Sequence, residues 1–160
     1  MADLVDNAIE ALRREQTVRG LLETTCRELT EGLGASACLI SRVVGDLLVS
    51  LAEFSRGERK PGIGHEYLIS DYPLTQEVIV RGEPRTVSLR DASPDKDEAE
   101  LLDKLGFQSL LMVCLPSGGT CWGLVEIYGE SSGFDDGQAG IAHEIAGETG
   151  RQLERLAQQG

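Results

Sequence analysis

Two apolar segments joined by a glycine turn constrain the fold of this chain most strongly. Residues 108–115 are apolar at nearly every position, and residues 121–128 form a second apolar run after Ser117-Gly118-Gly119-Thr120. Such runs, bounded by glycine, are typical of paired β-strands. Because the first run offers no polar side to solvent, we expect both faces of its sheet to be covered. The rest of the chain must therefore supply a layer on each side.

The N-terminal segment is predicted to be helical, over residues 3–33. Apolar residues at spacings of three and four give residues 18–33 one apolar face. A second apolar patch, at residues 4–12, is separated from it by the polar residues 13–16. We therefore divide the chain into an N-terminal helical extension, residues 1–16, that could contact a second subunit, and a main domain, residues 17–160.

The elements after this helix are short until the C-terminus. Gly45-Asp46 separates two strand-like runs, which indicates a hairpin, and Pro84 favours an edge strand. The last helix is predicted to begin at Asp135, where Gln138 completes a capping-box pattern. The order predicts an α+β architecture of helix, two strands, a loop-rich crossing with short helices, three strands and helix.

The charge and the apolar content exclude several classes of protein. A formal net charge of −12 at pH 7 disfavours nucleic acid and anionic membrane surfaces as partners. No run approaches the roughly 18 apolar residues of a membrane span, and residues 1–4 lack the basic start of a signal peptide. We therefore predict a cytoplasmic protein that binds neither nucleic acid nor membrane.

The four cysteines are predicted to be buried, reduced thiols without function: Cys26, Cys38, Cys114 and Cys121. None belongs to a C-x-x-C pair, which disfavours a zinc site. In a tight hairpin Cys121 would face Pro116 and Cys114 would face Gly123. The two cysteines would then be diagonal neighbours with Cα atoms about 7–8 Å apart. That separation is too long for an unstrained disulfide.

Three segments resemble the GAF domain, a small-molecule sensory module of bacterial multidomain signalling regulators. They are G-E-P at residues 82–84, L-G-F-Q-S-L-L at residues 105–111 and the helix start F-D-D at residues 134–136. The resemblance covers about residues 17–157. It implies a central antiparallel sheet of five or six strands with the N- and C-terminal helices on one face. A lid of loops and short helices would close a pocket on the other.

The resemblance leaves the ligand unknown. Cyclic-nucleotide-binding GAF domains often carry an N-K…F…D-E pattern; here Phe134 is present, the Asn-Lys dipeptide is absent and Gln138 replaces the acid. Bilin-binding relatives need a cysteine beside the pocket, and Cys114 and Cys121 instead flank a hairpin. Haem-binding relatives use a histidine, a role that only His65 could take here, and we do not expect haem.

The candidate ligand-binding residues are polar or aromatic side chains in the strands and in the predicted lid: Arg42, Phe54, His65, Tyr67, Tyr72 and Glu126. Arg42 and Glu126 are the polar exceptions in apolar strands, so they either pair across strands or meet a ligand. Tyr67 and Tyr72 line the predicted pocket or pack the lid. His65 binds haem iron or an anion, or is solvated.

These expectations favour a sensory domain that is not an enzyme. It would bind a small molecule or a partner and transmit the bound state through its terminal helices, as a homodimer and with an output domain or regulator as partner. One alternative is a structural dimerisation module without a ligand. The other is a cysteine-based redox sensor or methionine-sulfoxide-reducing enzyme that uses Cys114 and Cys121. A polar-lined cavity under residues 62–103 would favour sensing; exposed thiols of low pKa would favour redox chemistry.

Overall fold

A computed structural model describes residues 2–61, 66–91, 93–131 and 133–159. A short 3-10 turn, Ile69–Asp71, follows the third strand. The helices and strands are, in chain order, α1 Ala2–Arg13, α2 Val18–Gly32, β1 Ala37–Val44, β2 Leu47–Ser55, β3 Glu66–Leu68, α3 Pro73–Arg81, β4 Arg85–Ser88, α4 Lys96–Leu105, β5 Ser109–Ser117, β6 Thr120–Gly129 and α5 Asp136–Gln159.

The strands form one antiparallel sheet in the order β3-β2-β1-β6-β5-β4. The predicted α+β class and the five- to six-stranded sheet are therefore confirmed. Strands β1, β6 and β5 occupy the interior of the sheet, which explains their nearly continuous apolar character. The edge strand β3 has only three residues, too few for the sequence pattern to reveal it.

The two faces of the sheet are covered by different layers. Val125 and Ile127 of β6 lie on the face that packs against α1, α2 and α5. The alternate residues Leu124 and Tyr128 lie on the opposite face, which α3 and α4 cover. We call these the terminal-helix face and the lid face. This arrangement agrees with the layers that the GAF resemblance implies.

The predicted helix over residues 3–33 is two helices. The break falls between Arg13 and Val18, where the Thr17 hydroxyl caps α2 by accepting from the Gly20 amide at 3.0 Å. The apolar residues of α1 are buried against α2 and α5 of the same chain: Val5, Ala8 and Leu12. The patch that suggested a second subunit is thus covered within the chain, and the dimer contact of residues 1–16 stays a prediction.

Helix α5 begins and packs as its sequence indicates. The Asp135 carboxylate accepts a hydrogen bond of 2.8 Å from the backbone N–H of Gln138, and Oε1 of Gln138 accepts one of 2.9 Å from the backbone N–H of Asp135. The predicted capping box is therefore confirmed. Farther along, Gly150 lies against the backbone of Pro116 in β5, where a Cβ atom would overlap the Pro116 carbonyl oxygen. This close approach between α5 and β5 within the chain therefore requires a glycine at position 150.

Candidate functional site

A buried acid lies in the middle of the lid face. Strand β6 places Glu126 between Leu39 of β1 and Met112 of β5, and the residue is only 6% exposed. Its Oε2 accepts a hydrogen bond of 3.1 Å from the Tyr128 hydroxyl, two residues along the same face. An acid at this position replaces what would otherwise be an apolar contact between the sheet and its lid.

A second buried acid approaches from the lid. Asp95 caps α4 by accepting from the Glu98 amide at 3.1 Å, which places Glu98 in the first turn of the helix. Glu98 is 1% exposed and accepts a hydrogen bond from the Thr75 hydroxyl of α3. The same hydroxyl oxygen lies 3.4 Å from Sδ of Met112, the neighbour of Glu126. Glu98, Thr75, Glu126 and Tyr128 thus form one buried polar cluster.

The environment of this cluster favours the protonated acids. Burial raises the pKa of Glu126 to about 8, with the charge of Glu98 adding and the Tyr128 hydrogen bond opposing. Burial likewise raises the pKa of Glu98 to about 7, against the hydrogen bond from Thr75. Among the described residues no Lys or Arg lies within ion-pair distance of either carboxyl group. Within the part of the chain that the structure describes, the lid face therefore holds two acids without a basic partner.

A cavity of about 400 Å³ opens beside the cluster, between the β3 end of the lid and α4. The rings of Tyr67 and Tyr72 meet edge to face in its wall, with centroids 6.0 Å apart. Burial raises the pKa of Tyr67, and the charge of Glu126 adds to that shift, so the wall is electrostatically tied to the cluster. The cavity is lined by Tyr67, Asp71, Tyr72, Asp97, Glu100, Leu101, Lys104 and Leu105.

A wider groove of about 680 Å³ lies at another place, between the α2–β1 connection and the end of β2. Two of its charged residues interact within the protein, since Arg59 donates to the Gly106 carbonyl and lies 3.8 Å from Glu130. The predicted site residues that the structure describes do not line it. We therefore take the smaller cavity as the candidate site, because Tyr67 and Tyr72 line it and its lining residue Asp97 precedes Glu98 in α4.

Comparison with known proteins agrees with the architecture. The sequence model of the GAF domain family matches residues 17–153. The chain belongs to the GAF family. No curated protein sequence matches it significantly.

Solved structures of photoreceptor domains share the fold of this GAF domain. A chromophore-binding domain of the Stigmatella aurantiaca bacteriophytochrome superposes with a TM-score of 0.80 at 18% identity, over 96% of this chain and 59% of that one. A far-red absorbing dark-state structure with bound biliverdin IXa gives 0.81 at 16%, over 96% and 99%. The chromophore-binding domain of RpBphP3 from R. palustris gives 0.80 at 13%, over 99% and 61%. Identities this low establish the fold alone.

The structure brings together some of the predicted site residues of this GAF domain and separates others. Tyr67 and Tyr72 line the cavity, and Glu126 lies on the lid face behind it. Phe54 packs instead against the core of the terminal-helix face. His65 falls outside the described residues, so its predicted role is untested.

Arg42 also lies on the terminal-helix face, and the ion pair with Glu126 that was one sequence interpretation is absent. Arg42 pairs with Gly123, three positions along the sheet from the pair of Leu39 and Glu126. Because side chains alternate between faces along a strand, a separation of three positions places the side chains of Arg42 and Glu126 on opposite faces. The Arg42 guanidinium instead lies 4.5 Å from the centroid of the Trp122 ring. It also donates to the carbonyls of Val43 and Trp122, at 2.8 and 2.7 Å.

Sequence reasoning missed three members of the buried cluster: Thr75, Glu98 and Tyr128. For Glu98 a signal was present, because it shares a helical stripe with Leu102 and Leu105, at spacings of four and seven. Tyr128 is two residues from Glu126 and so shares its face of the strand. Thr75 had no comparable signal, because a threonine in a short helix is ordinary.

The prediction that Cys114 and Cys121 cannot pair was wrong. They form a disulfide, with Cα atoms 5.7 Å apart. A β-bulge at Leu115/Pro116 makes Cys114 the partner of Leu124 rather than Gly123 and shortens the diagonal between the cysteines. Cys26 and Cys38 are free and fully buried, as predicted, and burial raises the pKa of the Cys38 thiol well above its usual range.

Within the described ranges, no group of three or more His, Cys, Asp or Glu side chains is arranged to hold a metal ion. Across the same part of the chain, no helix is both long and apolar enough to cross a membrane.

Proposed function

We propose that this GAF domain is a non-catalytic sensory domain that binds a small molecule in the cavity between Tyr67, Tyr72 and α4. The observation that carries the proposal is the combination of that cavity with two buried acids, Glu98 and Glu126, for which the described residues provide no Lys or Arg partner. Burying such groups costs stability unless something compensates. A lid that only sealed the core would be better served by apolar residues. The open cavity also argues against a purely structural module whose pocket is filled by its own side chains.

The charge of the cavity favours a neutral or cationic ligand with hydrogen-bond donors. Among the described residues, its lining contains the acids Asp71, Asp97 and Glu100 and one base, Lys104. A phosphate group would be repelled there, which agrees with the missing cyclic-nucleotide pattern. The propionate groups of a bilin would meet the same repulsion. We therefore do not extend to this chain the biliverdin seen in a structural neighbour.

Strand β6 offers a direct route from the ligand to the terminal helices. Glu126 faces the lid, and the next residue, Ile127, packs in the core formed with α2 and α5. A ligand that prefers one arrangement of the lid would shift the population of the states that β6 and α5 adopt. An output domain or regulator would detect that shift at the terminal helices. We propose further that the protein acts as a homodimer in the cytoplasm.

Native mass spectrometry of protein purified from cells tests the site. We expect a bound small molecule on the wild type and its loss in Leu101→Trp, which fills the cavity from α4. Val80→Trp is the matched control, because Val80 is 76% exposed on α3 and its side chain does not line the cavity. It should retain the ligand.

Two outcomes would contradict the proposal. One is equal ligand retention in Leu101→Trp and Val80→Trp, which would place the ligand elsewhere. The other is a wild type that carries no small molecule and shows no thermal shift with a library of neutral and cationic compounds. If biliverdin or a cyclic nucleotide binds the wild type and Val80→Trp but not Leu101→Trp, the location of the site would be supported. The proposed class of ligand would then be wrong.

A further inference from the structure

The end of the β5–β6 hairpin carries a second candidate site, apart from the ligand cavity. We propose that Cys114 and Cys121 are a reversible thiol–disulfide site that reacts with low-molecular-weight disulfides and passes its redox state to α5. None of the residues that line the cavity belongs to this hairpin. The proposal therefore does not depend on the sensory ligand.

The local backbone brings the two cysteines within bonding range. Their Cα separation of 5.7 Å falls in the usual range for disulfides. The separation depends on the bulge at Leu115/Pro116, in which Trp122 is the extra residue of β6. Such bulges often redirect side chains at functional places in sheets. Here the bulge brings together two sulfur atoms that a regular hairpin would hold apart.

The four cysteines divide into two classes of accessibility. Cys26 and Cys38 are fully buried and free, so an oxidant in solution does not reach them. Cys121 is partly exposed, whereas Cys114 is 6% exposed. Cys121 is thus the thiol that meets the oxidant, and Cys114 completes the bond. The buried pair serves as an internal control in the same molecule.

The reaction is two successive thiol–disulfide exchanges. The Cys121 thiolate attacks one sulfur of the small disulfide, forms a mixed disulfide and releases one thiolate. The Cys114 thiolate then attacks Sγ of Cys121 and releases the second small thiolate. The two protons lost by the cysteines are taken up by the two released thiolates. Cys114 and Cys121 are oxidised together by two electrons, and one small disulfide is reduced to two thiols.

Two contacts connect this end of the hairpin to α5. The Pro116 carbonyl rests against Gly150, where there is no room for a Cβ atom. The Gly118 amide donates to Oε1 of Glu154 at 2.9 Å. Both contacts come from the segment that the disulfide closes into a loop. Oxidation holds this segment in one arrangement, and reduction allows the hairpin end and the helix beside it to relax.

The chain contains its own optical reporter for the reaction. Trp122 is the only tryptophan of the sequence and follows Cys121 directly. Its ring is held by Arg42, so it has a defined environment. Formation or reduction of the adjacent disulfide should therefore change its fluorescence. The change should follow the state of Cys114 and Cys121 rather than that of the buried cysteines.

The experiment equilibrates the whole chain in buffers of varying ratio of reduced to oxidised glutathione, followed by alkylation and mass spectrometry. We expect Cys114 and Cys121 to pass together between thiol and disulfide as the ratio changes, with Trp122 fluorescence following. Cys26 and Cys38 should stay reduced. On reduction, hydrogen exchange should become at least about tenfold faster in residues 116–121 and in the part of α5 around Gly150 and Glu154.

The coupling has a test of its own. Glu154→Ala removes the acceptor of the Gly118 amide and should leave disulfide formation unchanged. It should reduce the difference in α5 hydrogen exchange between the oxidised and reduced protein. Glu144→Ala, an exposed acid on the same helix, is the control and should preserve that difference. Cysteines that stay reduced at every glutathione ratio, or that cannot be reduced at any, would overturn the proposal. Identical exchange in α5 for the oxidised and reduced wild type would also overturn it.

Discussion

Residues 126 and 127 are neighbours in one strand and lie in opposite environments. Ile127 is fully buried in an apolar core that α1, α2 and α5 seal. Glu126 points to the other face, where it meets Tyr128, and a second buried acid and a cavity lie on the same side. One face of the sheet is therefore built to be stable, and the other carries groups that weaken the fold. That division is what a domain needs if it senses on one side and transmits on the other.

The largest expected effect belongs to the sealed face. Ile127→Ala should lower the free energy of unfolding by about 4 kcal/mol, because it leaves a cavity that α2 and α5 cannot close without moving. Urea unfolding followed by circular dichroism measures the change, at a pH where Glu126 is protonated. Val80→Ala, at an exposed position, is the control and should change stability by less than about 0.5 kcal/mol. A loss below 1 kcal/mol for Ile127→Ala would contradict the description of a tightly packed face.

Replacement of Glu126, the residue next to Ile127, should have the opposite effect on stability. The pKa of Glu126 is about 8 in the fold and 4.5 without its environment, so between these values the native state binds more protons than the unfolded state. Stability should therefore fall as pH rises from 4.5 to 8. At about 1.4 kcal/mol per pKa unit, the rise from 4.5 to about 8 sets an upper bound of about 5 kcal/mol on this loss. Local relaxation and water around the ionised carboxylate reduce it, so Glu126→Gln should raise stability at pH 8.5 on the order of 3 kcal/mol. It should have little effect near pH 4.

Unfolding curves at pH 4, 6 and 8.5 for the wild type and Glu126→Gln test this sign. Glu98→Gln should show a smaller gain that develops over a lower pH range, because burial raises the pKa of Glu98 only to about 7. Glu98→Gln should also lower the pKa of Glu126, since the charge of Glu98 raises it. A Glu126→Gln variant less stable than the wild type at pH 8.5 would show that the carboxylate has a counter-ion in solution.

The comparison also shows what the sequence could predict. Local sequence patterns were sufficient for the hairpins and for the capping box of Asp135 and Gln138, whereas the layers on each face were expected from the GAF resemblance. The bulge at Leu115/Pro116 was not predictable, because a single inserted residue leaves the strand pattern unchanged. That one residue reversed the conclusion about Cys114 and Cys121. The site depends on side chains from separate elements, and their meeting is set by tertiary packing.

Substitution of two glycines in α5 should have a smaller effect on stability and distinguishes a contact within the chain from a contact between two chains. Gly150→Ala should cost about 2 kcal/mol, because its Cβ would overlap the Pro116 carbonyl and push α5 from the sheet. Gly147→Ala meets only Arg151, at 3.8 Å, and should instead stabilise the helix by about 0.5–1 kcal/mol. Thermal unfolding and sedimentation measure both variants. Destabilisation by Gly147→Ala together with dissociation would place a dimer contact at that glycine.

The smallest expected effect concerns Arg42, a predicted ligand-binding residue that lies on the sealed face. Arg42→Met keeps most of the side-chain length and loses the cation–π contact with Trp122 and two hydrogen bonds to carbonyls. We expect a loss of about 1 kcal/mol and a shift in Trp122 fluorescence. Because the sheet separates Arg42 from the cavity, ligand retention in native mass spectrometry should equal that of the wild type. Loss of the ligand in Arg42→Met, at unchanged fold, would mean that the two faces are not separate and that the site reaches through the sheet.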